Sequence, residues 1–309
     1  MSVDLYLEAA DRKNTRLSYA SALRHFEVEW GGFLPATSEA VARYLAAYGG
    51  ELANSTLRQR LAALARWHQD QGFQDPTKSP LVRQVLKGIR AVHTQRQRQA
   101  KPLALSGLET VDEWLAEQIC AAEAQGQPAA LLRHRRDRAL ILLGFWRGFR
   151  SDELARLEVQ NVDLIPGQGL RCYLPRSKGD REMTGRSFRC PSLSRLCPVS
   201  AYAAWIETAG LTHGPVFRRI GPTGQLAEDS LHPGSLIPLL RKLFAAAGLA
   251  DADRYSSHSL RRGFAGWAHS TGWDLKELME YVGWRDLKSA MRYMDVAEQG
   301  LAERFERGL

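Results

Sequence analysis

The chain has 309 residues, 44% of them hydrophobic and 25% charged, with a mean hydropathy of −0.33; this balance excludes disordered, collagen-like and coiled-coil classes, and the length predicts two domains. No run approaches the about 18 consecutive apolar residues of a membrane span, and the first ten residues carry Asp4 and Glu8 without an apolar leader, so a cytoplasmic protein with no membrane contact is expected. Forty-two Lys and Arg against 34 Asp and Glu leave a net charge of +8, which favours a polyanionic partner.

In chain order, Asn14 or Thr15 can cap a helix whose apolar positions include Leu17, Ala20, Leu23 and Phe26, and Gly31-Gly32 ends it. Thr37 starts a second helix with Val41, Tyr44, Leu45 and Tyr48 on its apolar face; Asn54-Ser55-Thr56 opens a third carrying Leu57, Leu61, Leu64 and Trp67, closed by Gly72. A fourth runs from about Pro80 to Gln97, with Leu81, Val85, Leu86 and Ile89 on one side and Arg83, Lys87 and Arg90 on another. The first hundred residues thus read as a small helical bundle. Arg83, Lys87, Arg90, Arg96, Arg98 and Lys101 fall within nineteen residues that hold no acid. Such a run reads either as a polyanion contact or as a charged linker. The polar stretch from His93 to Lys101, before Pro102, marks the domain boundary, giving domains 1–97 and 98–309.

Beyond the boundary, helices are expected at about Ser106–Gln125 and Ala130–Phe149. Leu170 to Leu174 has strand length, Ser177-Lys178-Gly179-Asp180 has turn chemistry, and Ser187 to Cys190 can return the strand. Helical periodicity resumes at Pro198–Ala209 and Pro233–Ala247 and dominates the C-terminus through Leu301. The second domain is mainly helical with one small antiparallel sheet, and the fold class is mainly α. Four cysteines, Cys120, Cys172, Cys190 and Cys197, are too few for a disulfide framework and are expected reduced and mostly buried. Cys190, Cys197 and His213 lack the spacing of a zinc site, so no metal is expected.

His258-Ser-Leu-Arg261 places an imidazole and a guanidinium at i and i+3, able to grip one anion from one side of a helix, or simply to pair on a surface or in a core. Gly148-Phe-Arg150-Ser-Asp-Glu153-Leu154 sets an arginine at the end of an apolar helix and a carboxylate three residues on, with Ser151 as a candidate N-cap. That pattern also describes a helix turn with a local ion pair. Asp286 or Ser289 could begin a short helix that carries Tyr293 near its end.

Taken in order, G-F-R-S-D-E-L, a lysine in a hairpin turn, H-S-L-R, and Gly283-Trp284 followed nine residues later by a tyrosine resemble the tyrosine recombinase (phage integrase) family over essentially the whole chain, in its Cre- and Xer-like branch. The resemblance implies a helical, SAM-like core DNA-binding domain followed by an α-rich catalytic domain. It assigns Arg150 and Arg261 as catalytic arginines, Glu153 as the supporting acid, Lys178 as the hairpin lysine, His258 as the histidine of H-x-x-R and Tyr293 as the nucleophile. Trp284 stands where many members have a second histidine and Cre-like members have tryptophan; it keeps a donor but cannot titrate.

The chemistry this implies is coherent. A phosphotyrosyl ester stores the energy of the broken phosphodiester, so rejoining needs no nucleotide cofactor; the resemblance assigns the 3′-phosphotyrosyl polarity. Two guanidiniums stabilise a pentacoordinate phosphorane, with His258 and Trp284 as further donors. Lys178, flanked by Arg176 and Arg181, can protonate the departing 5′-oxygen, and either arginine can instead meet phosphate. Arg58 and Arg60, with the basic residues from Arg83 to Lys101, are candidate DNA contacts. Leu301 and Phe305 suit packing into a neighbouring protomer or onto their own domain. The expected system is a monomer that becomes a homotetramer on double-stranded DNA at inverted-repeat core sites, passing through a Holliday junction, and compatible with accessory or directionality proteins. The alternatives are a relaxation-only relative of the type IB topoisomerase kind and a DNA-binding protein without catalysis.

Overall fold

The computed structural model describes residues 13–94, 99–175, 185–284, 286–287 and 290–291. The chain divides into two compact units, Met1–Arg98 and Gln99–Leu309.

The first unit holds four helices: α1 (Lys13–Arg24), extended by a π-turn over His25–Glu29, α2 (Ser38–Tyr48), α3 (Asn54–Asp70) and α4 (Pro80–Val92). Thr37 caps α2 by accepting from the Ala40 amide, and Ser79 caps α4 by accepting from the Val82 amide, with Pro80 in the first turn where no amide is needed. Phe26, Val41, Tyr44, Leu45, Leu57, Leu64 and Val82 form the core. Two expected faces differ at their N-terminal ends. Leu17 and Ala20 are exposed, and α1 buries Ala22 and Phe26 with Tyr19 and Leu23 half-buried, a 19, 22, 23, 26 stripe of ideal helical spacing. Likewise Leu81 is exposed while Val82, Val85, Leu86 and Ile89 keep that phase. Helix α4 stops at Val92 rather than Gln97. In α3 Trp67 is only half-buried, stacked on Phe73; His68 is buried, its Nδ1 bonded to Leu64 O and its Nε2 accepting from the Ala36 amide.

The second unit is built around α6 (Pro128–Arg147), buried along most of its length from Arg136 onward and packed by α5 (Leu105–Ala124), α8 (Pro198–Ala209) and α10 (Ser257–Ser270). Helix α7 (Ser151–Ala155), α9 (Pro233–Ala246) and α11 (Leu275–Val282) complete the helices among the described residues. Gly144 and Gly263 let these helices close: a Cβ on Gly144 would lie 2.8 Å from Leu260 Cδ1, and one on Gly263 would lie 1.9 Å from Leu103 O. A three-stranded antiparallel sheet, β1 (Val162–Ile165), β2 (Gly169–Leu174) and β3 (Arg186–Pro191), pairs Cys172 with Phe188 and Leu170 with Cys190.

The single small sheet expected from sequence is therefore joined by a second, two-stranded one, β4 (Arg218–Ile220) with β5 (Leu226–Ser230). Its turn is held by Arg133, which donates to Gly221 O and Pro222 O at 2.6 Å each. Helix α6 ends at Arg147, before the expected Phe149, because Gly148 adopts φ +61°. Cys172 and Cys190 are buried and burial pushes their thiols up to about 12, whereas Cys120 is exposed and Cys197 half-buried, so only two of the four meet the expectation of burial. No described helix is long and apolar enough to cross a membrane.

Candidate active site

The left-handed Gly148 stops α6 and turns the chain so that Phe149 packs edge-on against Phe188 and Arg150 becomes the N-cap residue of α7. Ser151 does not cap this helix, as its sequence position suggested. The carboxylate of Glu153, at the third helical position, accepts from the Arg150 amide at 2.8 Å, and the Ser151 hydroxyl bonds the Ser257 hydroxyl instead, tying the start of α7 to the start of α10.

Glu153 is the electrostatic centre of this corner. Its Oε1 accepts from Arg150 Nη1 at 2.7 Å, and its Oε2 lies 3.9 Å from Arg261 Nη1. One buried carboxylate thus bridges two guanidiniums 111 residues apart in sequence (261 − 150 = 111). Arg261 is fully buried: Nη1 donates to Gly148 O at 2.5 Å, Nη2 to Val282 O at 3.4 Å, and its guanidinium carbon sits 5.0 Å from the Trp284 ring centroid. Arg150 is the more exposed of the pair.

Helix α10 begins with a capping box in which Ser256 accepts from the His258 amide at 3.2 Å and Ser259 accepts from the Ser256 amide at 2.8 Å. The i, i+3 spacing then separates the two H-x-x-R side chains by depth, with His258 exposed in the first turn and Arg261 buried one turn on. Trp284 is buried directly after Gly283 ends α11 at φ +78°. Arg150, Glu153, Arg261 and Trp284 are thereby gathered at one corner by the ends of α6, α7, α10 and α11, and the serine pair fixes the turn that carries His258. Lys178, Arg176, Arg181, Tyr293, Arg96, Arg98, Leu301 and Phe305 lie outside the described residues. In the first unit Arg58, Arg83 and Lys87 are exposed; Arg60 donates to the Tyr44 hydroxyl at 3.2 Å, and Arg90 is half-buried. Lys101 is engaged by Asp251 and by Ala250 O.

Sequence reading missed Arg147. It ends α6, is buried, and donates to Tyr281 O; burial holds its pKa below the usual arginine value. Its one sequence signal is the R-G-F-R spacing that puts two arginines around Gly148. Burial raises the Tyr281 phenol, which donates to Trp146 O at 2.9 Å and so acts as a packing residue. Among the described residues no three His, Cys, Asp or Glu side chains cluster in a manner that could hold a metal ion.

The sequence profile of the Phage integrase family matches residues 109–300. The integrase/recombinase xerD homolog of Selenomonas ruminantium is 28% identical over 299 residues, covering 94% of this chain and 83% of that protein. The tyrosine recombinase XerD of Vibrio cholerae is 24% identical over 251 residues, covering 77% and 76%. Among solved structures, the Tn1549 transposon integrase in complex with circular intermediate DNA superposes with a TM-score of 0.61 at 14% identity, over 94% of this chain and 92% of that one. A lambda integrase dimer bound to a core site gives 0.57 at 15% identity, over 94% and 91%. These two share the fold, mainly helical with small antiparallel sheets. With the family profile spanning the helices and strands that assemble the arginine–carboxylate corner, the chain belongs to the phage integrase family and is a tyrosine site-specific recombinase.

Proposed function

We propose that the protein cuts and rejoins duplex DNA at short inverted-repeat core sites, with Tyr293 as the nucleophile, a 3′-phosphotyrosyl intermediate and a Holliday junction between two rounds of exchange. The observation that carries this reading is the Glu153 carboxylate set between Arg150 and Arg261. Two guanidiniums held by one buried carboxylate are donors fixed in place, which is what a phosphorane gaining negative charge on its non-bridging oxygens requires. Arg150 meets the phosphate at the surface and Arg261 adds the second charge from beneath it. His258 and the Trp284 indole add donors, and Lys178 delivers the proton to the 5′-oxygen as it leaves. The phosphodiester bond broken and the tyrosyl ester formed are both phosphate esters, so the step is close to isoenergetic and reverses when a 5′-hydroxyl attacks.

The exposed Arg58, Arg83 and Lys87 support phosphate contact by the first unit, with Arg60, Arg90, Arg96, Arg98 and Lys101 completing the basic set. The protein then works in the cytoplasm, as a monomer that assembles into a tetramer on paired sites. The Tn1549 and lambda integrase structures, with DNA in both, support a duplex partner. The test is incubation with nicked duplexes that carry the inverted repeats flanking its gene, followed by denaturing electrophoresis and mass mapping. A covalent adduct on Tyr293, absent in Tyr293→Phe while site binding persists, is the expected result. Tight specific binding with no adduct in the wild type would refute the assignment.

A further inference from the structure

Three arginines converge on the last carbonyls of α11. Arg147 donates to Tyr281 O, Arg261 Nη2 to Val282 O at 3.4 Å and Arg186 Nη1 to Gly283 O at 3.5 Å. The C-terminus of a helix presents unpaired carbonyls and partial negative charge, so cations there are favourable. The turn they hold is tight: the amides of Gly283 and Trp284 both return to Met279 O at 2.9 Å.

Within this trio Arg147 is the costly member. It is 3% exposed, and its Nε and Nη1 are buried with no hydrogen-bond acceptor among the described residues. Instead its guanidinium lies against aromatic faces, 4.1 Å from the Tyr281 ring centroid and 4.6 Å from that of Phe188. A methionine would fill the same space without desolvating a charge, so packing alone does not account for a guanidinium here. What the guanidinium does, and methionine cannot, is join the end of α6 to the end of α11. The first of these runs straight into Gly148, Phe149 and Arg150; the second runs into Trp284 and onward in sequence to Tyr293.

We propose that Arg147 is a positioning residue for strand cleavage, clamping the end of α11 to the Gly148–Arg150 turn so that Trp284 is held in register with Arg150 and Arg261. This rests on the site assigned above. Lysine is a poor substitute, because a planar guanidinium can lie against two rings and still donate to a carbonyl, whereas an ammonium is more strongly hydrated and does not stack.

The experiment uses the full chain, the nicked inverted-repeat duplex, and the variants Arg147→Lys and Arg147→Met. Both variants are expected to bind DNA as the wild type does, yet at saturating DNA to form the Tyr293 adduct roughly 10-fold slower for lysine and up to about 100-fold slower for methionine, the scale of an ångström-sized misplacement. In the free protein, amide exchange in peptides covering 279–284 is expected to accelerate about tenfold while β2 and β3 keep wild-type protection. Should Arg147→Met fail to fold, Arg147→Lys decides by the same readouts. A wild-type cleavage rate in Arg147→Lys, or protection lost evenly across 99–309, overturns the proposal. Absence of a Tyr293 adduct in the wild type would refute the site assignment instead, and the exchange data then judge the clamp alone: selective loosening upholds it, and even or absent loosening overturns it.

Discussion

Replacing Glu153 by alanine removes the carboxylate that touches both Arg150 and Arg261, and the structure gives the size of the effect. The Glu153 and Arg261 side chains are 5% and 1% exposed, so water does not replace the lost partner, while Arg150 at 23% is partly solvated. Deleting one member of a buried ion pair costs about 3–5 kcal/mol, and the 3.9 Å reach to Arg261 places this case at the lower end, near 3 kcal/mol. For a unit of this size the urea slope is about 2–3 kcal/mol/M, so the midpoint is expected to fall by about 1–1.5 M. Tryptophan fluorescence reports mainly the second unit, since six of the eight tryptophans, Trp114, Trp146, Trp205, Trp267, Trp273 and Trp284, lie beyond residue 98 and only Trp30 and Trp67 lie before it. Glu153→Gln keeps an acceptor for the Arg150 amide but no charge, and about half the loss is expected. Single-turnover cleavage should drop about 100-fold for alanine and about 10-fold for glutamine, because the donors are no longer preorganised. An alanine midpoint within about 0.3 M of wild type, or an unchanged cleavage rate in the glutamine variant, would show that the carboxylate does not organise the two arginines.

Gly263→Ala drives a Cβ into the Leu103 carbonyl and to 2.8 Å from Phe145 Cε2; with backbone on the receiving side, a loss of at least about 3 kcal/mol in the same urea experiment is expected. Arg58→Gln, Arg83→Gln and Lys87→Gln should each lower the slope of log K against log salt by about 1 for duplex DNA. Lys101→Gln should change that slope less, its ammonium being engaged with Asp251 and Ala250 O. At Cys197 burial pushes the thiol up, but hydrogen bonds to Sγ from the Leu193 and Ser200 amides and from the Ser192 hydroxyl outweigh it and bring the value down to about 7. Iodoacetamide labelling of Cys197, followed by mass mapping, should therefore rise through pH 7, while the buried Cys172 and Cys190 stay unmodified in the folded protein.

Helices α2 and α3 were legible because their boundaries are written in local chemistry: Thr37 as a cap, the Gly49-Gly50 and Gly72 stops, and apolar residues three and four apart. Phase was the weak point. In α1 and α4 two overlapping apolar stripes are present, and only contact with the other helices selects 19, 22, 23, 26 over 17, 20, 23, 26, or Val82 over Leu81. Strands β1, β4 and β5 escaped notice because none is fully buried and Leu226–Ser230 carries two acids, leaving no alternation to read. At the site, Arg150, Glu153, His258, Arg261 and Trp284 were visible as motif residues. Arg147 was not, since a basic residue in the last turn of a helix ordinarily signals a solvated dipole partner, and only tertiary packing shows it enclosed by Tyr281 and Phe188. Ser151 failed as a cap because the helix already includes it: Arg150 stands at the N-cap position, and the hydroxyl of Ser151 bonds Ser257.

The charge balance of the corner leads to one more expectation. Arg147, Arg150 and Arg261 bring three guanidiniums to the ends of α6, α7 and α10, and the Glu153 carboxylate lies within 4 Å of two of them, so the corner offers fixed donors to an anion. A ligand that binds only the folded state stabilises it by RT ln(1 + [L]/Kd), about 2.7 kcal/mol at a hundredfold excess over Kd. Inorganic phosphate or vanadate at constant ionic strength should therefore raise the unfolding midpoint of the second unit. Arg150 is the exposed cation of the set, so Arg150→Gln should abolish most of that gain while leaving the Arg147 and Arg261 carbonyl contacts in place. Equal stabilisation of wild type and Arg150→Gln would mean that the anion binds elsewhere, and that the arginine corner is balanced internally rather than held ready for a phosphate.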